Sequence, residues 1–126
     1  MNVDHDNQLT GAVIGAAIAV HRQLGPGVEE AAYEECLCHE LGQKNIPFTR
    51  QHLTPLVCDG QPLGQFAEVS LLVGNSVPVQ CLSVAELNAL HEARLLARLR
   101  QGSWPYGLLL SFKSPTLPRG IHRLTR

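Results

Sequence analysis

The chain has 126 residues, of which 44% are hydrophobic and 17% charged, so it is long enough for one domain and too apolar to be disordered. Its formal net charge of −1 excludes a uniformly basic or acidic protein. The charge is nevertheless divided: residues 1–92 hold 11 acids and three bases, which gives −8, whereas residues 93–126 hold seven bases and no acid, which gives +7. Such a division can bind phosphate backbones, or it can pair the two halves within one fold or between subunits.

Hydrophobic residues that recur every three to four positions predict three helices. Their predicted spans are Gln8 to Leu24, about Val28 to Leu41, and about Ala85 to Gln101. Residues 1–7 are polar and are expected to form a loose N-terminus ahead of a single domain of residues 8–126. The first helix is rich in glycine and alanine, which indicates a face that allows close packing.

Between the second and third helices the hydrophobic period changes to two, which is typical of strands. The turn signals Asp59-Gly60 and Gly74-Asn75 predict hairpins. The predicted strands are Phe48–Val57 (one strand or two, broken at Pro55), Phe66–Val73, Val77–Val84, Tyr106–Phe112 and Gly120–Leu124. Helices and strands in this order indicate an α/β domain.

The cysteines include no Cys-x-x-Cys pair and no secretory signal is indicated, so we expect reduced thiols and a cytoplasmic protein. Cys36, Cys38 and His39 have the composition of a metal cluster. Residues two apart on a helix point in different directions, so we predict no metal site there. The apolar stretch from Gly11 to Val20 has ten residues and is too short to span a bilayer, so no membrane partner is expected.

The motif Gly27-x-x-Glu30-x-x-Tyr33 lies at the start of the predicted second helix. It resembles the GxxExxY family of small bacterial and archaeal proteins, within the PD-(D/E)XK nuclease superfamily. Further blocks agree with that family in the same order, at residues 20–27, 63–64, 91–93, 107–112 and 120–121. The resemblance implies a single-domain PD-(D/E)XK nuclease-like fold, with a mixed central sheet flanked by helices. We expect Tyr33 to be a core anchor whose hydroxyl meets a polar neighbour.

The resemblance also implies an active site made of a helix glutamate, a strand aspartate and a Glu-x-Lys. The carboxylates of such a site hold Mg²⁺ through hard oxygen ligands. The metal polarises the phosphate and lowers the pKa of an attacking water. The lysine positions the water or stabilises negative charge.

In this chain the matching positions have lost most of that chemistry. Counting back from His91, the aspartate position is Ser70, the glutamate position is Gln80 and the lysine position is Leu82. Only the helix glutamate, Glu30, is retained. Mg²⁺ dehydrates reluctantly, and one glutamate with a serine and an amide makes a poor site for it. We therefore interpret these as vestigial positions, expect no cofactor, and predict a binding or assembly module.

Two alternatives stay open at this point. Glu68 lies two residues before Ser70 on the same strand face, and a slip or bulge would bring it toward the metal position. A residual Mg²⁺-dependent nuclease using Glu30 and Glu68 is thus one alternative. The other is a purely structural homo-oligomer, which the sequence does not separate from a binding module.

Two kinds of partner are predicted. His91, Arg94 and Arg98 lie on the third predicted helix, where the basic part of the sequence begins, and we expect them to bind nucleic acid weakly. A homo-oligomer is predicted from the division of charge, from the thin first helix, and from Trp104 and Tyr106 as aromatic anchors.

Overall fold

The computed structural model describes residues 3–113 and 117–126. Within them the chain forms three α-helices, five strands and one short 3-10 turn at Leu117–Gly120. The elements in chain order are α1 (Val3–Leu24), α2 (Glu30–Gln43), β1 (Phe48–Cys58), β2 (Gln61–Val73), β3 (Val77–Leu82), α3 (Ala89–Gly102), β4 (Tyr106–Ser111) and β5 (Ile121–Thr125). None of these helices is long and apolar enough to cross a membrane.

The five strands form one mixed sheet in the order β1-β2-β3-β4-β5. β3 and β4 are parallel, and the other neighbouring pairs are antiparallel. A parallel pair needs a long crossover connection, and α3 provides it. The prediction of an α/β domain with a mixed central sheet flanked by helices is confirmed.

The two faces of the sheet are covered by different helices, because successive strand residues point to opposite faces. On one face α1 and α2 pack on a large cluster that includes Val79, Cys81 and Leu110. On the other face Leu95 and Leu99 of α3 pack on a smaller cluster around Leu109 and Leu124. The domain therefore has three layers, with α3 alone on its side of the sheet.

The bounds of several elements differ from those predicted. α1 begins at Val3 and so includes residues 3–7, which the sequence assigned to a segment ahead of the helix. β1 is one strand whose register shifts between Pro55 and Val57, so the proline distorts the strand without ending it. β3 ends at Leu82 rather than Val84, and α3 begins at Ala89 rather than Ala85.

Both predicted hairpin turns form. The β1–β2 turn has positive φ at Asp59 (50°) and Gly60 (76°), as a two-residue turn of this kind requires. The β2–β3 turn has positive φ at Gly74 (59°) and Asn75 (58°). Gly74 is also close to α1, because a Cβ added there would lie 2.7 Å from a methyl carbon of Leu9. This second turn therefore packs against α1 at the edge of the core.

Tyr33 fixes the connection between α1 and α2. Its hydroxyl oxygen accepts a hydrogen bond from the backbone N–H of Val28 at 3.0 Å and donates one to the carbonyl of Gly25. Its ring is fully buried and stacks on Phe112, with centroids 4.8 Å apart. One side chain therefore joins the interhelical loop to the end of β4, as expected of a core anchor.

We predict that Tyr33→Phe destabilises the fold by about 1–3 kcal/mol, because the substitution leaves a partly buried N–H and carbonyl without their partner. Urea unfolding followed by circular dichroism measures the change. Tyr106→Phe is the matched control, because the Tyr106 hydroxyl forms no hydrogen bond to any described residue and its ring lies against Arg123. Equal stability losses in the two variants would contradict the structural role assigned to the Tyr33 hydroxyl.

Candidate functional site

The site lies where two neighbouring strands separate. β2 and β3 pair only from Leu71–Val79 to Val73–Val77, at the turn end of their hairpin. Beyond that point β2 stays with β1, whereas β3 pairs with β4 over residues 79–82. The strands therefore diverge at Ser70 and Gln80, and their backbone groups need other hydrogen-bond partners there.

The side chains of Ser70 and Gln80 supply those partners. Ser70 Oγ accepts a hydrogen bond from the backbone N–H of Cys81 at 3.0 Å. Gln80 Oε1 accepts one from the backbone N–H of Ser70 at 3.3 Å. Two side-chain oxygens thus bridge the gap between β2 and β3, and each is already bound to a backbone donor.

A pocket opens next to this bridge, between the sheet and α3. It has a volume of about 90 Å³. Its lining residues are Gln80, Leu82, His91, Arg94, Leu95, Arg98 and Leu109. The structure therefore brings together two of the vestigial positions and all three residues that were predicted to bind nucleic acid, with Ser70 joined to them through Gln80. Leu95 and Leu109 also line the pocket, although the sequence did not mark them as site residues.

Arg98 is held in the pocket wall by backbone contacts. Its Nε donates to the carbonyl of Glu68 at 2.6 Å, and its Nη1 donates to the carbonyl of Arg94 at 3.1 Å. Partial burial lowers the pKa of Arg98, the positive charge of Arg94 lowers it further, and Glu68 acts in the opposite direction. Among the described residues, neither Arg94 nor Arg98 forms an ion pair, so the pocket carries a positive charge.

His91 is oriented by the start of α3. Asn88 Oδ1 accepts from the backbone N–H groups of Leu90 (3.0 Å) and His91 (3.1 Å). The Nδ1 atom of His91 in turn accepts from the backbone N–H of Asn88 at 3.1 Å. This is a capping box in which histidine takes the position usually occupied by Glu or Gln. Asn88 was not predicted as a functional residue from the sequence, although an asparagine before the first helical residue is a common N-cap signal.

The two candidate carboxylates do not line the pocket. Glu30 is the first residue of α2 and is exposed, in the layer on the opposite face of the sheet. Burial raises the pKa of the Cys81 thiol, and the nearby Glu34, Cys38 and Glu30 raise it further, which places Glu30 on the Cys81 side of β3. Glu68 is exposed and does not line the pocket: its backbone carbonyl accepts from Arg98, and its carboxylate acts on the pKa of that arginine.

These residues do not fit a Mg²⁺ ion. Mg²⁺ takes hard oxygen ligands, of which at least one or two are carboxylates. No carboxylate lines the pocket, two arginines do, and the oxygens of Ser70 and Gln80 already accept backbone hydrogen bonds. Across the described part of the chain, no group of three or more His, Cys, Asp or Glu residues is arranged to hold a metal.

A comparison with protein families adds an independent finding. The model of the PD-(D/E)XK nuclease superfamily matches residues 7–124. The chain belongs to this superfamily. Comparisons with curated proteins and with solved structures give no significant match. Membership of the PD-(D/E)XK superfamily agrees with the mixed sheet and its flanking helices, while the narrower GxxExxY resemblance stays a prediction.

We predict that Ser70→Ala destabilises this PD-(D/E)XK domain by about 1–3 kcal/mol, because the Cys81 N–H would lose its acceptor in a buried position. Urea unfolding measures the change. Ser76→Ala is the matched control, since the Ser76 hydroxyl is buried without a hydrogen-bond partner among the described residues, and its removal is expected to be neutral or stabilising. A Ser70→Ala variant as stable as Ser76→Ala would show that the bridge does not support the fold.

Proposed function

We propose that the chain is a non-catalytic member of the PD-(D/E)XK superfamily that acts as a binding module. The observation that supports this most directly is the engagement of Ser70 and Gln80. Both side-chain oxygens at the positions of metal-binding carboxylates accept hydrogen bonds from the protein backbone. A metal at this position would gain only neutral ligands from these two side chains.

The remaining catalytic requirements are also unmet at these positions. Leu82 replaces the lysine, and its side chain neither ligates a metal nor donates a hydrogen bond. A metal-dependent nuclease relies on its ion to activate water and to stabilise charge on the phosphate. The alternative nuclease, built on Glu30 and Glu68, has less support because neither carboxylate lines the pocket.

The binding role is supported by the positive charge of the pocket. Arg94 and Arg98 present guanidinium groups on the same wall, one turn of α3 apart. Guanidinium groups bind phosphates by paired hydrogen bonds. We therefore propose weak binding of nucleic acid, with a dissociation constant in the micromolar range or above, as is typical of contacts with phosphate backbones.

We predict that the purified protein does not cleave single- or double-stranded DNA with Mg²⁺ or Mn²⁺, because the pocket cannot hold the ion. A time course on labelled oligonucleotides tests this. Cleavage that requires the metal and is lost in Glu30→Gln or Glu68→Gln would contradict the proposal. The converse variant combines Ser70→Asp, Gln80→Glu and Leu82→Lys, and it is expected to bind Mn²⁺ in calorimetry when the wild type does not.

We also propose that copies of the chain associate, but through a different surface from the one suggested by the sequence. Ala16 and Ala17 of α1 are fully buried in the core, and Trp104 packs on the α3 cluster with its ring 5.5 Å from that of His52. Ala16, Ala17 and Trp104 therefore make internal contacts. Large apolar side chains are instead exposed on the β1–β2 hairpin: Leu53 (53%), Val57 (46%), Leu63 (53%) and Phe66 (57%).

This hairpin suits a second copy of the chain, because β1 is an edge strand and edge strands pair readily with other chains. We expect a dimer or larger oligomer in light scattering at tens of micromolar protein. Phe66→Ser is expected to shift the mass toward the monomer. Leu90→Ser is the control, since Leu90 is equally exposed (57%) but lies on α3. A monomeric wild type, or the same loss in both variants, would contradict association through the hairpin.

A further inference from the structure

The polar side chains of the α3 pocket share one property: the groups that they have left to offer are hydrogen-bond donors. The Oε1 atom of Gln80 is bound to the Ser70 N–H, which leaves the two N–H bonds of its Nε2. The Nδ1 atom of His91 is bound to the Asn88 N–H, so the ring proton is on Nε2. The backbone thus occupies the one acceptor atom in each of these side chains.

The two arginines complete this set. A guanidinium group has five N–H donors and no acceptor. Arg98 uses its Nε and Nη1 in contacts with backbone carbonyls, so part of its donor set stays unused. Arg94 is exposed and has no hydrogen bond from its side chain to the described residues. The rest of the lining, Leu82, Leu95 and Leu109, is apolar.

We propose that this pocket binds a single phosphate-type oxyanion directly, without a metal ion. The proposal rests on the non-catalytic function proposed above and names the chemistry of its ligand. A metal site presents acceptor oxygens to a cation, whereas this pocket presents donors and positive charge. An oxyanion that accepts from Gln80, His91 and the arginines would satisfy donors that have no partner among the described residues, and the contacts to the arginines would be charge-assisted.

The size of the pocket limits the ligand. Its volume of about 90 Å³ is several times the roughly 10–15 Å³ that one water molecule requires. This is room for one tetrahedral oxyanion. Two sources have the same chemistry: free inorganic phosphate, and the terminal phosphate of a nucleic-acid strand whose remainder stays outside the pocket.

Titration of the isotopically labelled protein with inorganic phosphate tests the proposal by NMR. We expect saturable shifts of the Gln80 side-chain amide and the His91 ring, with sodium chloride at matched ionic strength as the reference. Arg94→Gln is expected to weaken binding about tenfold, because it removes a charge-assisted contact. Arg100→Gln is the matched control: it removes the same charge from the same helix at an exposed position outside the pocket, and is expected to leave binding within about twofold.

Gln80→Glu changes the polarity of the pocket with almost no change of shape. One carboxylate oxygen still accepts from the Ser70 N–H, while the other replaces two donors with an acceptor and adds negative charge. Phosphate binding is expected to be lost. Unchanged binding in this variant would overturn the proposal, as would shifts that chloride reproduces or an equal loss in Arg94→Gln and Arg100→Gln.

Two oligonucleotides of identical sequence, with and without a 5′-phosphate, distinguish the sources. Preferential binding of the phosphorylated strand, displaced by free phosphate, identifies a terminal phosphate. Failure of that strand to displace phosphate identifies the free ion, and either result supports the pocket. A parallel titration with MgCl₂ tests the non-catalytic function separately from the oxyanion site. Chemical-shift changes at Gln80 with Mg²⁺ would contradict the non-catalytic function. If neither Mg²⁺ nor phosphate changes the chemical shifts, only the oxyanion site is overturned.

Discussion

The separation of β3 from β2 after the Leu71–Val79 pair is the constraint on which the site depends. Beyond that pair β3 forms a parallel ladder with β4, and a parallel ladder requires a crossover that returns the chain to the same end of the sheet. α3 is that crossover, and it lies over the face on which Gln80 and Leu82 point outward from β3. The same topology thus opens the gap, exposes polar backbone within it, and sets basic side chains beside it.

The substitutions at the site and the arginines of α3 are physically consistent with one another. A buried polar group costs free energy unless it is hydrogen-bonded. Ser70 and Gln80 meet that requirement with backbone donors, so the gap between the strands is closed without an ion. Arg94 and Arg98 would repel a cation at the same place, whereas a carboxylate-lined version of the pocket would have paired with them. The neutral Ser70–Gln80 bridge and the basic wall formed by Arg94 and Arg98 therefore both favour an anionic ligand.

The sequence predicted the order of the elements well because the signals involved are local. Hydrophobic period and turn chemistry are properties of neighbouring residues, and Asp59-Gly60 is a strong turn signal of this local kind. The start of α3 was missed because His91 acts as the reciprocal cap of Asn88, a role more familiar for Glu or Gln. The positions Ser70, Gln80 and Leu82 came from the family resemblance, by counting back from His91, and two of them line one pocket.

Other features of the site depend on tertiary contacts and were beyond the sequence. Which atom of Gln80 remains for a ligand is decided by the backbone N–H of Ser70, on a neighbouring strand. The layer to which Glu30 belongs depends on which side of the sheet α2 packs. Trp104 looked suited to an interface because aromatic residues are common there, yet its contacts with α3 are made within the molecule.

The two hairpin turns, similar in backbone conformation, differ in how much added chain they would tolerate. A Cβ at Gly60 would meet no atom within 4 Å, whereas one at Gly74 would collide with Leu9 of α1. A fluorescent reporter or an affinity tag inserted at Asp59-Gly60 would therefore leave the core intact, and no residue of that turn borders the pocket. The same insertion would project from the apolar end of the hairpin, so a bulky one would block contact between copies. That turn offers a place to separate the binding role of the molecule from its self-association.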